Sequence, residues 1–338
     1  EGGYTLARTT LSLLKLYSMD QLIPRVYGVI YGSVFVSKDP IQSLLDPLLK
    51  ACRLSFSNGN FEHSHFNTMI YIARCLHVGK KIPVVLNELN AFAHQHKQQN
   101  HMSMLQLFLA PAYKSLSALS GITLDSSDLL AQLGASCNDN IAETARAKNE
   151  MIFVQSAISL SLSDAFFSRD FAKASQIILQ HQDFFQMLHE QHMRITDFEV
   201  IFYAGLISFH MARETREAHW MEKGMNVLSS FEKCSILNEW NFEHRFLLLK
   251  AELYHTKGDT HAAMQAYDLS AEAAQTHCFT HHVGLACELA AHYFGNIGAK
   301  ERTREMIQRS HDAYMEWGAA RKAKAVINLL ELEWLDCS

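Results

Sequence analysis

The amino-acid sequence has 338 residues and a formal net charge of -5, with 19% charged residues. An acidic chain of this kind lacks the basic surface that coats nucleic-acid phosphates, which argues against a nucleic-acid partner. All five prolines lie in the first third, so the rest of the chain is free to form helix after helix.

The cysteines and the apolar segments indicate the cellular compartment of such a chain. Seven cysteines are scattered and odd in number, which is typical of small buried side chains in a reducing compartment. No apolar run reaches the roughly 18 to 20 residues of a membrane span, and no signal peptide is recognisable. We therefore expect a cytoplasmic protein. Because the chain begins at Glu1 without methionine, we also expect it to be a segment of a longer one.

Helical spacing begins close to the N-terminus. Residues 4 to 36 predict two helices, interrupted between 18 and 24. Asp39 precedes a proline and predicts the capped start of a third helix. Gly59 then predicts a turn inside a first antiparallel helix pair.

Further helix boundaries follow from glycine and proline. Gly79 predicts a helix end and Pro83 the next start, while Pro111 predicts a kink or a break. The stretch 120–127 is rich in turn formers and predicts a loop. It divides one continuous helical region, 1–338, into an N-terminal half, 1–120, and a C-terminal half, 128–338.

In the C-terminal half, capping boxes predict where helices start. Asn140 with Glu143 predicts one long helix that continues to Phe167. Thr196 with Glu199 predicts another helix start.

Turns continue the pattern. Arg169 takes a turn position after the long helix, and two more helices are predicted over 216–232 and 236–257.

The stretch 241–324 has the clearest repeat. With Gly258 at a turn, small and aromatic side chains occupy fixed offsets on both sides, and forty residues later Gly298 takes the same role. These offsets are typical of tetratricopeptide repeats and predict an all-α, tetratricopeptide-like α-solenoid: a right-handed stack of antiparallel helix pairs without a sheet. The predicted repeat positions are Gly59, Ala251, Tyr254, Gly258, Ala263, Tyr267, Ala291, Phe294, Gly298, Trp317 and Gly318.

Trp317 precedes the small residues Gly318 and Ala319, so we expect it to be a buried plug that closes the last wedge between helices. In a solenoid each repeat contacts only its neighbours. Trp317→Ala is therefore expected to unfold the region after about Thr280 while the helices between 39 and 79 stay protected.

Chemical motifs are absent from the sequence. It contains no phosphate-binding glycine loop, no nucleophile elbow, no HExxH and no CxxC. Nineteen histidines include the clusters at 277–282 and at 189–192, yet none supplies three ligands at a recognised metal spacing. We predict no catalytic, cofactor or metal residue, and keep a helical metalloenzyme as an alternative.

Acidic and aromatic residues on apolar helix positions have two interpretations. Glu252, Glu288 and Glu316 are predicted to be solvated or paired between helices, with paired groups inside a groove as the alternative. Core packing is predicted for the helically spaced aromatic residues, and a ligand-stacking groove is the alternative.

Several motifs together resemble one family. They are NFEHRFLLLKAE from Asn241, Ala266 to Asp268, GLACELAAHYF from Gly284, AYMEWGAARKAK around Trp317 and Lys322, and, earlier, RVYGVIYG, LLKACRLSFSNGNFEHS, CLHVGKKI and LSALSGIT. In this order they are similar to the helical region of large multidomain signalling proteins. Those proteins carry a protein-kinase-like module and an AAA-type predicted ATPase before it, and GAF, histidine-kinase or other output domains after it.

The resemblance implies a non-catalytic scaffold or relay that contacts neighbouring domains of the same polypeptide or other proteins, while kinase or ATPase activity belongs to other parts of the parent protein. Arg169 and Thr303 depart from the expected glycine and alanine. The alternative function is an effector-sensing solenoid that binds a small molecule or peptide in its groove.

Overall fold

A computed structural model describes residues 2–122, 128–135, 140–190 and 198–334, and these are helical, with no strand within those ranges. The α-helices of the N-terminal half are α1 Gly2–Leu16, α2 Ile23–Val29, α3 Leu45–Ser57, α4 Phe61–His77, α5 Ile82–Gln98, α6 Met102–Met104 and α7 Ala110–Ser120. The later ones are α8 Leu129–Ala135, α9 Ile141–Ala147, α10 Met151–Phe167, α11 Phe171–Gln180, α12 Gln182–Glu190, α13 Phe198–Thr215, α14 Ala218–Leu237, α15 Glu239–Lys257, α16 Thr260–Thr276, α17 Thr280–Asn296, α18 Lys300–Trp317 and α19 Ala320–Trp334. The all-α prediction is thus confirmed for the described residues.

The predicted turns lie where the backbone becomes left-handed. Gly59, Arg169, Gly258 and Gly298 have φ values of 65°, 59°, 75° and 75° and each separates two consecutive helices. Glycine has no Cβ to clash in this conformation, whereas Arg169 adopts it at a steric cost. These residues therefore reverse the chain between neighbouring helices.

The repeat in the last helices extends to individual hydrogen bonds. The Ser270 hydroxyl on α16 donates to the carbonyl oxygen of His244 at 2.8 Å. Forty residues later, the Ser310 hydroxyl on α18 donates to the carbonyl oxygen of Gly284, also at 2.8 Å. The two helices of the pair α15–α16 and the two helices of the next pair, α17–α18, are therefore joined by equivalent hydrogen bonds.

Contacts between distant parts of the chain accompany this neighbour packing. The Asn241 side chain on α15 accepts from the amide of Ile41 at 3.0 Å and donates to the carbonyl oxygens of Val36 and Asp39. Helix α19 packs on α7. The N-terminal and C-terminal halves of the chain are thus in contact. A solenoid whose repeats contact only their neighbours would not make these contacts.

Two predicted helix starts are corrected. Asp39 does not cap α3, because a 3-10 turn intervenes and the Asp39 carboxylate accepts a hydrogen bond from Tyr4. Asn140 makes no side-chain cap, and the long helix predicted after it is two helices separated at Asn149, which has a φ of 58°.

Some predicted residues lie outside the residues that the structure describes. Thr196 and His192 lie outside them, as do residues 123–127 of the predicted loop. Pro111 lies in the first turn of α7, directly after a π-helical turn at Leu105–Leu109, so it marks a change of helix type.

No described helix combines the length and the apolar character that crossing a membrane requires.

Trp317 is 4% exposed, as the sequence predicts, but its contacts reach further than expected. The indole N–H donates to the carbonyl oxygen of Lys80 at 3.2 Å, and the ring packs beside Phe167, His281 and Tyr314. Trp317 therefore joins the last helices to the N-terminal half.

Trp317→Ala is now expected to lower the free energy of unfolding by about 3–5 kcal/mol, the usual cost of a buried tryptophan. Because the ring contacts both halves, hydrogen-exchange protection is expected to fall in residues 61–98 as well as after residue 280. Trp240→Ala is the control, since Trp240 is 37% exposed. Loss of hydrogen-exchange protection only after residue 280 would support the sequence-based prediction that Trp317→Ala unfolds the last helices alone.

Candidate functional site

The predicted repeat positions divide into core residues and turns. Ala251, Ala263, Tyr267, Ala291 and Phe294 are fully buried. Tyr254 is half-buried, and the turn glycines at 59, 258 and 298 are exposed. Trp317 is the one predicted repeat position that lines the cavity described below. The other positions build the framework around the site.

Glu252 is buried in a polar cluster between three helices. Its carboxylate accepts from the Arg213 guanidinium at 2.6 Å and from the Tyr267 hydroxyl at 2.5 Å. Burial raises the pKa of Glu252, but Arg213 and other neighbours outweigh it and lower the pKa to about 2. Glu252 is thus charged and paired between helices, as the sequence predicts.

Glu288 forms a similar cluster one repeat later, where it accepts from Lys322 at 2.6 Å and from Tyr314 at 2.8 Å. Lys322 also donates to the carbonyl oxygen of Phe167. Glu316, in contrast, is exposed. The three glutamates therefore divide into two interhelical pairs and one solvated residue.

Glu252 makes stability depend on pH. Its pKa is depressed in the folded state, so its contribution is present above the unfolded pKa of about 4.3 and is lost as pH falls towards 2. We expect Glu252→Gln to cost about 3–5 kcal/mol at pH 6, because Arg213 stays buried without its partner. Between pH 6 and pH 3 the difference in unfolding free energy between the wild type and Glu252→Gln should decrease by about 2 kcal/mol.

Denaturant unfolding at both pH values measures this, with Glu316→Gln as the exposed control. An equal difference in unfolding free energy at the two pH values would contradict a depressed pKa of Glu252 in the folded state.

A third polar cluster, the central cluster, lies around Arg245. Arg245 is fully buried and its guanidinium donates to Glu199, to His244 and to the carbonyl oxygens of Asn241 and His77. Burial raises the pKa of Glu199, and the Arg245 charge opposes that shift. Three helices, α4, α13 and α15, meet at this one side chain.

The histidines of the central cluster are neutral. Burial, together with the charges of Arg74 and Arg245, lowers the pKa of His77, His244, His281 and His282 well below 6.5. Because Arg245 donates to Nε2 of His244, that nitrogen is an acceptor, and Nδ1 of His282 must donate to it at 2.9 Å. Nε2 of His282 therefore carries a lone pair.

Several buried nitrogens in this cluster have no hydrogen-bond partner. Both ring nitrogens of His281 and Nε2 of His282 are among them. Buried polar groups are normally paired, and an orphaned one needs an explanation such as a bound molecule. His281 borders a cavity, but both of its ring nitrogens have almost no accessible surface and Nδ1 packs against the backbone of Gly79, so these nitrogens do not face the cavity.

The cavity has a volume of about 390 Å³ and lies between the two halves of the chain. Most of its wall is apolar and comes from α4, α7 and α10. Arg74, His77, Glu199 and His281 form a polar patch of the wall, and Trp317 borders it. Small-molecule sites in proteins typically have volumes of about 300–1,000 Å³ and this combination of apolar walls with a few polar groups.

Helix α10 adds a polar stripe to the cavity wall. Gln155, Ser156, Ser159 and Ser163 recur on one face of an otherwise apolar helix and are half-buried there. Asp164 follows and accepts from the Ser115 hydroxyl at 2.8 Å. Surrounding protein raises the pKa of Asp164 to about 6, although its side chain is exposed. The stripe offers hydrogen bonds along the wall.

Three buried thiols are protonated rather than nucleophilic. Burial raises the pKa of Cys75 to about 12 and of Cys287 to about 11, and it raises the pKa of Cys52 further. The described cysteines are free.

Among the described residues, two histidine sets have the geometry for a metal ion. One is Glu199 with His281 and His282, and the other is His65 with His96 and His101. The first set shares Glu199 with the Arg245 guanidinium, whose charge repels a cation. Sequence spacing indicated neither set, because their members come from different helices.

Comparison with models of known protein families and with curated proteins found no match to this chain. The candidate site therefore rests on its own geometry. Its cavity residues were missed by the sequence analysis, although the serine stripe of α10 was a visible signal.

Proposed function

We propose that this chain is a ligand-sensing helical region, a tetratricopeptide-like α-solenoid whose central cavity binds a small amphipathic molecule. This is the alternative function that the sequence indicates. One observation carries it: a cavity of about 390 Å³ with a mostly apolar wall and a polar patch that includes Arg74, His77 and His281.

The chemistry of the wall specifies the ligand further. Phe66, Met69, Ile70, Leu116 and Leu160 suit an apolar body. The patch with Arg74 and His281 suits a head group that accepts hydrogen bonds, and a guanidinium favours an anionic one. A carboxylate or sulfonate on an aromatic or aliphatic body fits both parts of the wall.

The scaffold or relay role is compatible with such a ligand. The cavity wall combines α4 and α7 with α13, α17 and α18, so a bound molecule contacts both halves of the chain. A ligand that binds one arrangement of the halves more tightly shifts the equilibrium towards it. We propose that this shift is what neighbouring domains of a signalling protein respond to, and that this segment itself catalyses no reaction.

The test uses 1-anilinonaphthalene-8-sulfonate as a probe, because its rings and sulfonate match the wall. Ala73→Phe and Ser159→Phe place a ring in the cavity and are expected to weaken probe binding by about tenfold or more, or about 1.4 kcal/mol. Ala172→Phe is the control, since Ala172 is exposed on α11.

Fluorescence titration measures the affinity, and near-ultraviolet circular dichroism verifies that each variant keeps native packing, because partly folded states also bind this dye. Equal affinities in all three variants would place the probe outside the cavity and contradict the proposal.

A further inference from the structure

Three histidines converge at the corner where α4, α5 and α6 meet, away from the central cavity. His65 lies on α4, His96 lies near the end of α5, and His101 precedes α6. One ring nitrogen of each lies within 4.8 Å of the others. His96 is buried, whereas His65 and His101 are half-buried and leave a path from solvent.

The distances suit a shared metal ion. Nδ1 of His96 and Nδ1 of His101 are 3.1 Å apart. Two nitrogens bound to one tetrahedral zinc ion lie roughly 3.4 Å apart, given Zn–N bonds of about 2.0–2.1 Å. The His65 ring lies beside the His101 ring, with 3.8 Å between ring centroids, and one nitrogen of each of the three rings lies within 4.8 Å of the others.

A second contact orients the His96 ring. Its Nε2 faces the Thr68 hydroxyl oxygen at 3.3 Å, and Thr68 also hydrogen-bonds the Cys52 side chain. With the hydroxyl hydrogen directed at Cys52, the Thr68 oxygen accepts from Nε2–H of His96, which leaves a lone pair on Nδ1. Metal-bound histidines usually donate their other ring N–H in this way.

The electrostatic surroundings separate this set from the central one. Burial lowers the pKa of His96 to about 3 and also lowers the pKa of His101. The neighbouring charges that contribute to these shifts are other histidines of the set, with no arginine or lysine among them. Both rings are therefore neutral at pH 7, as ligands must be.

We propose that His65, His96 and His101 bind one Zn²⁺ ion, with water in the fourth position. Imidazole nitrogens suit zinc, and three protein ligands with one open position are a common tetrahedral arrangement. On binding, the proton that Nδ1 of His101 shares with His96 moves to Nε2 of His101. The sequence analysis predicted no metal residue, since 65, 96 and 101 follow no recognised spacing.

The test is a titration of the whole chain, treated with chelator, with ZnCl₂ by calorimetry, together with elemental analysis. The wild type is expected to bind one zinc per chain at this set. His65→Gln and His101→Gln are expected to weaken binding by more than about tenfold, and Thr68→Val by about 10–100-fold. His94→Gln is the matched control, because His94 is exposed on the same helix as His96.

Thermal unfolding adds an independent readout, since zinc should raise the melting temperature of the wild type and of His94→Gln but not of His65→Gln or His101→Gln. His96 itself is left unchanged because it is buried. The proposal is overturned if the wild type binds no zinc, or if His65→Gln and His101→Gln bind zinc as tightly as His94→Gln does.

Discussion

The burial of Arg245 is the constraint on which the centre of this molecule depends. A guanidinium without water needs hydrogen-bond acceptors, and Arg245 has them on Glu199 of α13, on the carbonyl oxygen of His77 at the end of α4, and within α15. Its charge also lies over the rings of Phe198 and Phe279. Removing any one acceptor leaves buried polar groups unpaired, so the positions of these helices are linked through one side chain.

The same constraint determines the character of the cavity. Burial, together with the charge of Arg245, lowers the pKa of His281 and His282 and keeps both neutral, and a neutral imidazole offers one donor and one acceptor. The neighbours of His281 leave both of its nitrogens without partners. The cavity wall has a polar patch beside an apolar surface, and the fold places it where the two halves of the chain meet.

Helix α4 connects the cavity with the histidine corner. Phe66 lines the cavity and the preceding residue, His65, belongs to the histidine set, while Arg74 and His77 at the other end of the helix reach the central cluster. A rigid helix with groups at both ends is the kind of element through which two sites influence each other. The zinc ion and the cavity ligand would then act on one structural element, although each is proposed from separate observations.

The sequence by itself determined the helices and the turns between them. Glycines at 59, 258 and 298 and the aromatic spacing of 241–324 are local signals, because a left-handed backbone and a helical face depend on nearby residues. Asn149, which breaks the helix predicted from Asn140 to Phe167, was missed since asparagine is a weaker signal than glycine. Only the tertiary structure decided what lies between the halves. Contacts between distant helices depend on tertiary packing, and no local spacing encodes them. Examples are the hydrogen bonds from Asn241 to Val36 and from Trp317 to Lys80, and the cluster of His65, His96 and His101.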